Sequence, residues 1–346
     1  MTTTPDVSRR SLLAGGATAG ALALLAACSS GTAAKSAASA STSAGTGGSG
    51  LVIGLTYTPT VQFAPFYMAL AGGKYASSVS LRHHGAQEGQ FDALLAGTEQ
   101  LVVAGADEAA VAASNGNGLV AVGGFYQAYP GCVIVPESSD ITTLADLKGR
   151  TIGTPGRTGE TWYTLEVALK TAGLTEDDVT IQEIGFTQQA ALAGGKVDAI
   201  VGYSNNDAVQ IAQNGTKVRT IAAAADVPLV GASLVTTRDY LAAHREELAD
   251  AVTASAAGMA LFVDDPDGAV TATKKYVTDL ADSTQAANAR EVALATGKLI
   301  RPEDSTVVGS LRSEEVGAMI TFLGGQGLLG STSLTADDVC DPLLSA

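Results

Sequence analysis

Three carboxylates, Asp107, Glu108 and Glu160, stand among aromatic and amide side chains near the ends of short apolar runs. Tyr57, Phe63, Phe125, Tyr126, Trp162 and Tyr203 fall at or just after expected strand ends, a concentration in a chain only 5% aromatic. Aromatic faces pair with a flat ring. Gln62, Gln127, Asn205 and Asn206 sit between them and both donate and accept hydrogen bonds. Carboxylates suit NH donors or cationic groups. Arg157, with Thr158 beside it, precedes a helix expected to start at Glu160, and helix starts bind anions. A phosphate or sulfonate is therefore the competing ligand, disfavoured by two or three acids against one arginine. Each residue also has a structural role to set against binding: core packing for the aromatics, macrodipole stabilisation for Glu160 and helix capping for Asp107 and Glu108. The balance favours a neutral or amino-bearing heterocycle.

No catalytic set gathers around these groups. Of the three histidines, His83 and His84 are adjacent on an expected strand, so they point to opposite faces and do not easily chelate one metal. Surface or edge placement is expected for both. His244, beside Arg245 and Glu246, is expected in solvent. No nucleophile elbow or phosphate-binding loop occurs. Gly325 to Gly330 matches a dinucleotide glycine pattern by letters, but it follows a helix instead of a strand. No enzyme activity, metal or cofactor is expected; Glu108 with Glu160 as an acid/base pair is the remaining enzymatic option.

The elements that must position these residues follow an α/β order. Leu51–Thr56 reads as a buried strand, Pro65–Tyr75 as a helix with proline in its first turn, Val79–His84 as a strand and Leu101–Ala104 as a buried strand. A helix over 106–114 and strands over 119–125 and 131–135 follow. The pattern restarts with strand 150–153, helix 160–171, strand 179–184, helix 187–193, strand 198–202, helix 206–213 and strand 218–223. After strand 229–236 helices dominate, at 245–263, 267–279, 284–296 and 313–323. This alternation predicts sheets that are mostly parallel. Two internal echoes stand out. Phe91–Gly97 before Leu101–Val103 resembles Gln188–Gly194 before Asp198–Ile200, and Ile53-Gly54 resembles Ile152-Gly153. The chain thus reads as two similar lobes in series. Ligands of open parallel sheets sit beyond the carboxyl ends of strands. The loops Thr56–Phe63 and Gly105–Glu108 of one lobe and Thr154–Glu160 and Gly202–Asn206 of the other would line one cleft.

The first 50 residues stand apart. Ser8-Arg9-Arg10-Ser11-Leu12-Leu13 resembles a twin-arginine export signal, and an apolar stretch follows it. That stretch is short for a membrane span, which needs about 20 apolar residues. It ends in Leu25-Ala26-Ala27-Cys28, which resembles a bacterial lipobox, with Cys28 the residue to be lipidated. Residues 1–27 are expected to be a lipoprotein signal peptide and 28–50 a flexible linker, since 29–50 are Ser, Gly, Ala or Thr apart from Lys35. The mature protein is expected outside the cytoplasm, lipid-anchored to the membrane. In that oxidising setting Cys132 and Cys340 could pair, or stand as two free thiols. The net charge of −15 argues against nucleic acid, because phosphate binding needs a basic surface. Arg9 and Arg10 outweigh Asp6 in the signal, so the remaining chain is more acidic still.

Gly54-Leu55-Thr56-Tyr57-Thr58-Pro59 through Phe66-Tyr67-Met68-Ala69 resembles the opening of solute-binding proteins related to thiamine-pyrimidine synthases and sulfonate binders. Leu144–Gly149 with Ile152-Gly153, and Ala193–Ala199, resemble that family's junction into its second lobe and its later glycine turn. The resemblance covers the chain up to about residue 300. It implies the two-lobed type 2 periplasmic-binding-protein fold: parallel-type sheets joined by hinge strands near 120–135 and 229–236. Lobe one would be 51–136 with 229–346, and lobe two 137–228. It also implies capture of a small molecule for an ABC transporter permease, by a monomer. Among ligands it points to the pyrimidine thiamine-precursor branch, although that branch's Trp and His are Tyr57 and Phe63 here. Sulfonate, nitrate-type or flavin-like ligands are alternatives. So are an enzyme of the pyrimidine-synthase branch, which would need a cysteine cluster and a histidine, and a sensor lipoprotein.

Overall fold

The computed structural model describes residues 50–85, 88–157, 159–223 and 229–344. The export signal, the lipobox with Cys28, nearly all of the linker, and Thr158 lie outside the described residues. Two five-stranded sheets form the body. In the first, β1 (Val52–Leu55), β2 (Ser80–His83), β3 (Leu101–Gly105) and β4 (Leu119–Gly124) take the order β2-β1-β3-β10-β4, with β10 (Ala232–Thr237) inserted late. In the second, β5 (Gly131–Pro136), β6 (Thr151–Thr154), β7 (Thr180–Glu183), β8 (Ala199–Tyr203) and β9 (Val218–Ala222) take the order β7-β6-β8-β5-β9. The echoed segments thus occupy equivalent places, β1 with β6 and β3 with β8.

Both sheets are mixed within the expected two-lobed fold, each parallel in only part of its ladders. β1 runs parallel to β2 and β3, and β6 parallel to β7 and β8. β10 is antiparallel to β3 and β4, and β5 is antiparallel to β8 and β9. The reversed strand is in each case the one that arrives from the other lobe. A strand delivered through a helical crossover must run parallel, whereas one entering directly from outside is free to run the other way. Residues 131–136, expected in lobe one, pair as β5 with β8 in the second sheet, and residues 125–130 form the crossover between the two sheets.

Apart from the partly exposed edge strand β2, the strands of lobe one are buried on both faces, which explains their unbroken apolar runs. Ile53, Leu55, Leu101, Val103 and Leu234 pack under the helices Ala64–Ala71 and Arg238–Asp264. Val102, Ala104 and Val235 face the opposite way, under the helices Ala106–Ser114 and Ser313–Gly325. Each fully buried Leu or Ile contributes about 1.5–3 kcal/mol. The helix expected from 245 begins at Arg238 instead, capped by the Thr237 hydroxyl, and kinks at His244, where φ is −135°.

Cys132 and Cys340 are both free and buried. Of the two alternatives the free thiols hold, because the two residues belong to different cores. Cys132 packs with Ile134 and Ile200 in lobe two, whereas Cys340 packs with Ala121 and Val339 in lobe one. His84 also departs from expectation. β2 is an edge strand, but His84 is only 2% exposed, held against the Glu99 carboxylate. Among the described residues no helix is long and apolar enough to cross a membrane.

Candidate functional site

The helix Ala106–Ser114 starts directly at the end of β3, and the helix Glu160–Thr171 starts one loop after β6. Because β3 and β6 lead their helices toward the space between the lobes, the first turns of both meet there. Asp107 and Glu108 come from lobe one and Glu160 from lobe two, and all three are at least nine-tenths buried. Two glycines make the approach possible. A Cβ on Gly105 would lie 2.3 Å from Asp107 Oδ1, so only glycine lets that carboxylate fold back over the turn. Gly159, the residue before Glu160, has φ +81°, a left-handed conformation that glycine adopts without strain. Its Cβ position is 3.8 Å from Glu108 Oε1, so lobe two rests directly on the lobe-one acid.

The acids are held by neutral donors. Asp107 Oδ2 accepts from the Tyr129 hydroxyl at 2.9 Å, and Oδ1 accepts from the Glu108 amide at 2.9 Å. The Tyr129 hydroxyl also lies 3.1 Å from Thr164 Oγ1, so the crossover ties both helices together. Glu108 Oε2 accepts from the Gly105 amide at 3.1 Å and from Gln90 Nε2 at 2.8 Å. Glu160 Oε2 accepts from the Tyr203 hydroxyl at 2.9 Å, while Oε1 is buried without a partner among the described residues. Asn205 Nδ2 donates to Thr296 Oγ1 at 2.8 Å and toward the Tyr126 hydroxyl at 3.5 Å. Asn205 Oδ1, too, is buried without a partner among the described residues.

Removal from water and mutual repulsion shape the electrostatics. Burial pushes Asp107 up to about 6, against the lowering effect of its hydrogen bonds. Burial and the neighbouring Asp107 push Glu108 up to about 8. Burial, Asp107 and Glu108 raise Glu160 well above the ordinary carboxylate range. Tyr129 and Tyr203 are raised by burial and by the same acids, so both stay protonated donors. Among the described residues, no group of three His, Cys, Asp or Glu side chains is arranged to hold a metal ion.

The other residues singled out from the sequence divide. Tyr126, Tyr203 and Asn205 join the acid cluster, and Gln62 stands near the Tyr126 hydroxyl. Tyr57 sits at the edge of the cleft, its ring edge-to-face with Phe186 across from it, centroids 5.4 Å apart. Phe63 is a core residue instead, packed edge-on against His83. Phe125 packs on Phe66 and Trp162 joins the lobe-two core. Gln127 turns away from the acids: its amide donates to the Ser310 carbonyl at 2.9 Å, beside a cavity of about 110 Å³ bounded by Gly124, Leu229 and Val230. Arg157 does not face the acids either. Its guanidinium pairs with Glu176 and Glu183 and lies 4.8 Å over the Trp162 ring, so it is engaged within lobe two. Tyr129, Thr164, Gln90, Thr296 and Phe186 are the residues missed. Phe186 follows β7 and the strand-end rule reaches it; the others are brought in only by the packing of the lobes.

Known proteins share this architecture. A family model described as NMT1/THI5 like matches residues 60–269. The riboflavin-binding protein RibY of Chloroflexus aurantiacus is 32% identical over 234 residues, covering 66% of this chain and 67% of that protein. The alkanesulfonate-binding protein SsuA of Xanthomonas axonopodis pv. citri, solved with MOPS bound, superposes with a TM-score of 0.65 at 20% identity, over 85% of this chain and 98% of that one. The desulfurization enzyme DszB, in complex with biphenyl-2-sulfinic acid, superposes at 0.54 with 16% identity, over 84% and 96%. The fold therefore carries binders and at least one enzyme, and at these identities the two solved structures speak for the fold alone. The extent of the family match and the identity to RibY settle the membership: the chain belongs to the NMT1/THI5 like family, on the two-lobed type 2 periplasmic-binding fold.

Proposed function

We propose that the chain is the extracytoplasmic solute-binding component of an ABC importer and that its ligand is an uncharged heterocycle bearing NH or OH groups, of flavin type. The observation that carries this reading is that two acceptors at the acid cluster, Glu160 Oε1 and Asn205 Oδ1, are buried without partners among the described residues. A buried acceptor left unpaired costs about 1–3 kcal/mol, so a ligand that donates to it supplies a hydrogen bond that the described protein groups do not. Tyr57 and Phe186 add aromatic edges and faces at the rim for a flat ring. The riboflavin-binding relative supports the flavin choice over the pyrimidine thiamine precursor, which shares the same donor chemistry. A sulfonate fits less well: the cation nearest in sequence, Arg157, is taken up by Glu176 and Glu183. Binding without turnover is supported by the riboflavin-binding relative. The twin-arginine pattern and lipobox support delivery across the membrane and a tether through lipid on Cys28.

A thermal-shift experiment on the full chain tests the ligand class, with riboflavin, an aminopyrimidine and an alkanesulfonate as probes. A ligand at a hundred times its Kd adds about 2.7 kcal/mol of stability. Riboflavin is expected to raise the midpoint most. Stabilisation by the alkanesulfonate alone overturns the reading, and stabilisation by the aminopyrimidine alone moves it to the precursor branch.

A further inference from the structure

The carboxylates between the lobes differ from ordinary buried acids in having no counter-ion among the described residues. From the helix Ala106–Ser114 come Asp107 and Glu108; from the helix Glu160–Thr171 come Glu160, Tyr163 and Thr164. The crossover 125–130 contributes Tyr126 and Tyr129, the end of β8 contributes Tyr203 and Asn205, and the loop after β2 contributes Gln90. On the return crossover, the Cβ position of Gly231 lies 3.2 Å from Glu160 Oε1. Every one of these groups is neutral or acidic. No salt bridge to Asp107, Glu108 or Glu160 occurs among the described residues. The acids come from both lobes, with Gly159 of one against Glu108 of the other, so their burial depends on the lobes meeting.

An ionised carboxylate removed from water without a cation costs several kcal/mol, and like charges beside it add to that. Two-lobed proteins of this kind open and close about their crossovers. Opening returns the acids to water, and closing takes the water away. An uncharged ligand brings no compensating charge, so the compensation has to come from solution. We infer that the lobes take up protons as they close over Asp107, Glu108 and Glu160, so that the cleft holds an uncharged ligand more tightly in acid than at neutral pH. The inference rests on the reading of this cleft as the ligand site. The shifts of Asp107 to about 6 and Glu108 to about 8 agree with it. The sign follows: a group that binds protons more tightly in the closed form favours closure below its open-form pKa and loses that effect as pH rises through its closed-form value. A cationic ligand would reverse the trend.

The test uses the full chain with riboflavin as probe, its Kd read by flavin fluorescence at about pH 5.5 and about pH 8. Kd is expected to be at least about tenfold lower at the acid pH. Glu108→Gln, neutral at both values, is expected to flatten that ratio toward one. Equal Kd at the two pH values in the unaltered chain, or tighter binding at the higher one, overturns the proposal. If riboflavin does not bind at either pH, the flavin reading fails and small-angle scattering of the ligand-free chain decides the proton step by itself. The chain is then expected to be more compact at the lower pH, and a Glu108→Gln/Glu160→Gln double variant equally compact at both. An unaltered chain equally compact at both overturns the proposal on that arm.

Discussion

Glu99 and Glu160 are both buried carboxylates, and the protein surrounds them differently. Glu99 Oε1 takes Arg82 Nη1 at 2.6 Å, and His84 Nε2 lies 3.0–3.1 Å from both of its oxygens. β1 gives up a side chain to make room, since a Cβ on Gly54 would lie 2.1 Å from Glu99 Oε2. Glu160 has one tyrosine hydroxyl, one oxygen without a partner among the described residues, and two acidic neighbours. Glu99 lies within one lobe, where its partners are permanent. Glu160 faces the other lobe, where contacts form and break. Full satisfaction marks an acid that belongs to the scaffold, and incomplete satisfaction at a moving interface marks one whose remaining partner comes from outside.

That contrast is sharpest in stability. Glu99→Ala is expected to cost about 2–3 kcal/mol in chemical unfolding, because it leaves His84 buried without its partner and Arg82 with one carboxylate fewer. Glu160→Gln is expected to leave stability unchanged or raise it, because glutamine is buried without the proton uptake that the acid requires. A loss in Glu160→Gln equal to that in Glu99→Ala would erase the distinction. Next in size is the pH dependence. The acids of the cleft stabilise the native chain at low pH, and that contribution is lost as pH rises through about 6 for Asp107 and about 8 for Glu108. Between about pH 5 and about pH 8.5 the unaltered chain is therefore expected to lose about 2 kcal/mol relative to Glu108→Gln, read from unfolding midpoints. Glu99→Ala is expected to leave the cleft's share of that slope in place.

The affinity effects are smaller. Glu160→Gln replaces one carboxylate oxygen by an amide donor and is expected to weaken riboflavin about tenfold, close to 1.4 kcal/mol, by calorimetry. Tyr57→Ala removes the rim ring that meets Phe186 and is expected to cost about 0.5–1 kcal/mol of affinity with an unchanged unfolding midpoint. An affinity loss larger than that of Glu160→Gln would move recognition from the acids to the aromatic rim.

Much of the fold is legible in the residues. The apolar runs at 51–56, 101–104 and 198–202 become β1, β3 and β8, and the echoes at Ile53-Gly54 and Ile152-Gly153 coincide with equivalent strands of two sheets. Local sequence has no means of showing strand direction, and so the antiparallel insertion of β5 and β10 escapes it. The same limit explains the site. Asp107, Glu108 and Glu160 are visible as acids near helix starts, and Tyr203 and Asn205 as residues after a strand. Arg157 stands just as close to a helix start, yet Glu176 and Glu183 take it up. Phe63 and Tyr57 share one loop, yet one is in the core and the other at the rim.

The sequence by itself determined the two repeated α/β units, the acidic character and the supply of acceptors and aromatic rings, because apolar periodicity and residue chemistry are local properties. Only the tertiary structure decided which carboxylates lose their water, which cations are already engaged and which acceptors stay unpaired. Those properties depend on distances between residues as far apart as Glu108 and Glu160, or Asn205 and Thr296, and two lobes meeting set them.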